Sequence, residues 1–139
     1  MKVFTPDTLP WRGKVNYVDK NNRVLGYSMA QDCCEIFGHC ILAELPASTS
    51  DPSEHALPDS VLEPYSFSPE NPVEFPDSVL GPYSPENPVE LPATSGGEGG
   101  MLAFRIVADG LPNLWVVIWN FHNGYYSHGW EFDGKEGSL

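Results

Sequence analysis

Residues 58–76 read PDSVLEPYSFSPENPVEFP, and residues 76–92 read PDSVLGPYSPENPVELP. The second copy has Gly81 where the first has Glu63 and Leu91 where the first has Phe75, and it lacks the Phe67-Ser68 pair. So close a duplication predicts added material rather than packed core. It divides the 139-residue chain into residues 1–45 and residues 101–139, which together are expected to form one domain. Residues 46–100 are expected to be a flexible, acidic, Pro-rich insert. Deleting residues 47–99 is then expected to leave the domain folded.

Charge and aromatic content follow the same division. The chain carries a formal charge of −12, and residues 46–100 hold ten acidic residues and no Lys or Arg. The remainder has nine acidic residues against seven basic ones. Eleven of the fourteen prolines lie in the insert, whereas thirteen of the seventeen aromatic residues lie outside it. Prolines remove backbone donors and bias the insert to polyproline II. Gly96 to Gly100 lacks the Lys and Ser/Thr of a phosphate loop and reads as a flexible joint. Lengthening a connection from ~5 to ~55 residues costs only about 2 kcal/mol by loop-closure scaling.

These features also exclude function classes. Without a basic stripe, nucleic-acid binding and adhesion to an anionic membrane are not expected. No apolar run reaches the ~18 residues of a membrane span, and MKVFTPDTLPW has no signal-peptide core. Three cysteines, two of them adjacent, make no disulfide framework, so a reducing cytoplasm is expected. No cofactor is expected.

Outside the insert the pattern is β. Residues 15–19 and 23–29 alternate around the turn cluster Lys20-Asn21-Asn22, with Leu25, Tyr27 and Met29 on one face, which predicts a hairpin. Residues 30–37 admit two readings. Ser28 with Gln31 forms a capping box and Gly38 a stop, which favours a short helical turn followed by a strand over 39–43. The competing reading is a strand running through Cys34 and Ile36 towards Leu42. Residues 101–109 alternate as a strand. LWVVIWNF, residues 114–121, is too rich in β-branched and aromatic residues for anything but a strand. Asn123-Gly124 is a strong hairpin signal. It predicts Trp119 opposite His128, Val117 opposite Trp130, and Trp115 opposite Phe132. Trp115, Val117, Trp119, Phe121, Tyr126, His128, Trp130 and Phe132 then form the core face, with His122 on the other. The expected fold is a β-rich α+β domain: one small antiparallel sheet of about five strands with one short helix.

Few residues carry chemistry. Cys34, His39 and Cys40 with one C-terminal His can supply zinc ligands, although the spacing matches no standard zinc motif. The bland reading of the cysteines is small buried hydrophobes. Cys34 as nucleophile, His128 as base and Asp32 or Asn120 as orienting group make a hydrolase reading. The bland reading of His128 is a core-face ring stacked on Trp119. The two PENPVE copies, residues 69–74 and 85–90, fit either a docking motif or a solvated spacer.

Gln31-Asp32-Cys33-Cys34-Glu35 and Asn123-Gly124-Tyr125-Tyr126-Ser127, in this order, resemble the paired motifs of a small domain of unknown function found in phage and bacterial proteins. The likeness covers about residues 15–45 and 101–133. The His that family members carry two residues before the Gln is Met29 here. The resemblance implies that the two motifs meet, with Asp32 or Glu35 accepting hydrogen bonds from Tyr125, Tyr126 or Ser127. It brings no activity with it. A non-enzymatic binding or interaction domain for an unidentified protein or small ligand is therefore expected, with the small Cys/His hydrolase or zinc protein as the alternative.

Overall fold

A computed structural model describes residues 1–5, 13–30, 35–45, 52–71, 73–74, 98–122 and 127–139; for residues 35, 73, 74, 98, 99 and 122 it describes the backbone alone. The chain is β-rich and antiparallel, as its alternation predicts. It forms two sheets, however, where one was expected. The first sheet comprises β1 (Lys2–Phe4), β2 (Lys14–Val18), β3 (Val24–Ser28), β9 (Gly129–Phe132) and β10 (Lys135–Ser138), side by side in that order. The second runs β4 (Glu35–Leu42), β8 (Leu114–His122), β7 (Glu98–Val107) and β5 (Ser66–Phe67), and β6 (Val73–Glu74) also pairs with β7. The helical content among the described residues is two short 3-10 turns, Pro52–His55 and Asp59–Leu62.

The expected first hairpin forms. Val15 pairs with Tyr27 and Tyr17 with Leu25. Its turn is held by Asp19, whose Oδ1 accepts from the backbone N–H groups of Asn21 and Arg23 at 2.8 and 3.0 Å. Asn22 takes a positive φ of 61°, which Asn tolerates better than most residues. Over residues 35–42 the strand reading prevails over the helical turn, and residues 31–34 lie outside the described residues.

The expected second hairpin does not form. β8 already has both edges occupied, by β4 (Gly38 opposite Trp119) and by β7 (Met101 opposite Trp119). β9 instead pairs with β3, placing Trp130 opposite Tyr27 and Phe132 opposite Leu25. LWVVIWNF is apolar on both faces, the mark of a central strand covered on both sides. Val116 and Ile118 point into the core between the sheets, with Val15, Tyr17, Leu25, Tyr27, Phe104 and Phe132. Val117, Trp119 and Phe121 belong to a second buried cluster, with Cys40, Leu42, Met101 and Ala103. The tryptophan face taken as the main core is thus the other face of the second sheet. Gly38 makes room there: a Cβ on it would stand 2.5 Å from the Trp119 ring.

For the first repeat copy the spacer reading is corrected, while the second copy, residues 76–92, lies outside the described residues. Leu62, Tyr65 and Phe67 of the first copy are buried in the core between the sheets. Phe67 packs edge-on to Phe132 and Phe104, with ring centroids 4.8 and 6.4 Å apart. Its N–H donates to Asp19 Oδ2 at 3.1 Å, which ties the copy to the β2–β3 turn. Asn71 imitates a strand partner: its Oδ1 accepts the Arg105 N–H at 2.8 Å and its Nδ2 donates to the Arg105 carbonyl at 2.9 Å. Arg23 donates to the Phe67 and Ser68 carbonyls, both at 3.0 Å. Deleting residues 47–99 would therefore remove core. Glu98 to Gly100, read as part of a flexible joint, are the first residues of β7.

Candidate functional site

Of the residues that sequence singled out for chemistry, the structure describes the side chains of His39, Cys40, Asn120, Ser127 and His128. His39 and Cys40 are neighbours on β4 and so point to opposite faces. His39 faces Tyr17 of the first sheet, whereas Cys40 is buried in the cluster around Trp119. Neighbours pointing to opposite faces of a strand do not converge on one ion, so the zinc alternative gains no His39–Cys40 pair. Among the described residues no three His, Cys, Asp or Glu side chains converge as a metal site. Cys34, Asp32, Tyr125 and Tyr126 lie outside the described residues, as does the Glu35 side chain. Ser127 is exposed.

His128 is buried, 3% exposed, but its neighbours are not those expected. Its ring lies 4.1 Å from that of Phe37 and 5.8 Å from that of Tyr27. Its Nδ1 donates to the Ser28 carbonyl at 2.8 Å. The Trp119 stacking fails because Trp119 points to the other side of the second sheet, whereas His128 sits between the sheets.

His39 makes a short polar contact between the sheets. The Tyr17 hydroxyl and His39 Nδ1 are 2.5 Å apart. Burial holds the His39 pKa below its ordinary value, with Asp59 opposing, and pushes the Tyr17 pKa up, helped by Asp59 and Cys40. The neutral ring and the protonated phenol are both favoured, and a hydrogen bond joins the Tyr17 hydroxyl to Nδ1, with its direction set by the imidazole tautomer. Sequence reasoning weighed His39 only as a ligand and did not single out Tyr17.

A different site lies on the outer face of the first sheet. The inward side chains of β2, β3 and β9 are Val15, Tyr17, Leu25, Tyr27 and Phe132. The alternate positions therefore face out. Asn16 pairs with Gly26, Gly26 with Glu131, and Glu131 with Glu136, making one row across four strands. Cross-strand partners share a face. A groove of about 250 Å³ follows this row, bounded by Lys14 on one side and by Glu131 and Asp133 on the other. Its floor is Asn16, only 1% exposed. Gly26 opens the floor, since a Cβ there would stand 3.4 Å from Asn16 Oδ1.

Asn16 Nδ2 reaches the Lys14 carbonyl at 3.4 Å, but among the described residues Oδ1 has no hydrogen-bond partner. Asp133 is paired with Arg23, Nε to Oδ2 at 2.5 Å. Neither Lys14 nor Glu131 forms an ion pair among the described residues. An Asn at an alternating strand position carries no sequence signal of a site. Only the register, which sets Gly26 beside it, reveals the groove.

No helix among the described residues is long and apolar enough to cross a membrane. The likeness to the phage and bacterial domain rests on its two quoted motifs, most of whose residues lie outside the described ones. Comparison with protein-family models, with curated proteins and with solved structures finds no match to this chain.

Proposed function

We propose that this chain is a non-enzymatic binding module that takes a small polar ligand in the groove over Asn16 and Gly26. The buried Asn16 Oδ1 carries the reading. An acceptor buried without a partner costs about 1–3 kcal/mol, and such a group calls for an explanation. A ligand donor supplies the missing partner once the side chains that cover Oδ1 move aside. The volume of about 250 Å³ lies just under the ~300–1,000 Å³ of drug-sized pockets, which suits a small ligand. Cysteine usage supports a reducing cytoplasm as the setting, and the two motifs support a phage or bacterial context.

Replacing Asn16 with Leu tests this. If Asn16 serves binding, Asn16→Leu removes an unsatisfied acceptor, and the melting temperature stays level or rises. If Asn16 is structural, the variant melts lower, and the reading fails.

A further inference from the structure

We infer that the groove recognises a small zwitterion, of the size of a free amino acid, with its ammonium towards β9 and its carboxylate towards β2. This rests on the binding reading above and adds the ligand class to it. The outer face of the first sheet is divided by charge. Lys14 stands on the β2 side, and Lys2 on β1 opposite Val18 shares that face. Glu131 and Glu136 stand on the β9–β10 side, in the same row as Asn16 and Gly26. The neutral trough between the two charges is Asn16 and Gly26.

Each part of the trough has a partner to satisfy. Asn16 Oδ1 accepts only, so it seeks an N–H or O–H. Glu131 stands on the far side of Gly26 from it and also accepts only when ionised. An ammonium between the two meets both. Asp133 competes less, because Arg23 engages its carboxylate. The Lys14 ammonium has donors to offer a carboxylate on the opposite side. A cation alone would face Lys14, and an anion alone would face Glu131. A neutral sugar would leave both charges unpaired. Val24 adds an apolar wall beside which a short aliphatic side chain can rest.

The full-length chain, labelled with ¹⁵N, would be titrated with L-alanine, ethylamine, propionate and glucose. The readout is the Asn16 side-chain amide, with the Gly26 and Glu131 backbone amides. L-Alanine should shift these signals. Ethylamine and propionate, each carrying one of its two charged groups, should bind about tenfold more weakly or worse. Glu131→Gln should weaken L-alanine and ethylamine but spare propionate, and Lys14→Met should do the reverse for the two half-ligands. Gly26→Ala, which caps Asn16 Oδ1, should abolish every shift. Ethylamine or propionate binding as well as L-alanine, or glucose binding best, would overturn the zwitterion class and leave the binding reading standing. If none of the four moves the Asn16 amide, the binding reading fails with it.

Discussion

Phe67→Ala measures how much of the fold depends on the first repeat copy. Phe67 is 3% exposed and lies against Phe132 and Phe104. Truncating a buried Phe costs about 3–5 kcal/mol, from lost transfer energy plus the cavity left behind. Two edge-on ring contacts add to its area term, at about 0.5–1.5 kcal/mol for such a pair. Domains of this kind have about 5–15 kcal/mol of stability in total, so the variant should lose a large share of it. Urea unfolding followed by tryptophan fluorescence gives the number: the midpoint should fall steeply with the slope unchanged. A loss under about 1 kcal/mol would mean that Phe67 is not in the core, and the placement of β5 beside β7 would be refuted.

Gly38→Ala should destabilise by about 1–3 kcal/mol, because its methyl group must displace the Trp119 ring; thermal melting checks this. Gly38→Ala paired with Trp119→Leu should recover part of that loss, since the obstructing ring is gone. His39 sets a pH dependence. Its folded pKa lies below the ordinary 6.5, so the unfolded chain binds more protons as pH falls below that value. The contribution is fully present above about pH 6.5 and is lost as pH drops towards the folded value, while Tyr17 and Asp59 are the polar groups in play around the ring. Chemical denaturation across that range should show His39→Gln blunting the dependence.

What could be read from the sequence divides along physical lines. The β2–β3 hairpin was legible because Leu25, Tyr27 and Met29 recur at every second position and Asp19 to Asn22 make a turn. β8 was legible as a strand, but its partners were not. Apolar residues on both faces erase the period-two signal that tells inside from outside, and Asn123-Gly124 outweighed what remained. The first copy was misread because tandem duplication and proline content both argue for spacer. A clue was present: the copies differ by Phe67-Ser68, and Phe67 is the residue that forms β5 with Ser66 and fills the core. As for the sites, His128 was read as buried and is buried, whereas its ring partners depended on a register that the chain does not use. The Asn16 groove is a product of cross-strand pairing and has no local signature.

Amide hydrogen exchange on the full chain tests most directly whether the first repeat copy is part of the folded domain. The Phe67 N–H donates to Asp19, the Ser68 N–H to the Arg105 carbonyl at 2.9 Å, and the Arg105 N–H to Asn71. These three amides should exchange as slowly as those of β8, opening only with the whole domain. Exchange of Phe67 and Ser68 at the rate of an unstructured chain, with β8 still protected, would show that the copy lies outside the fold and would contradict the account.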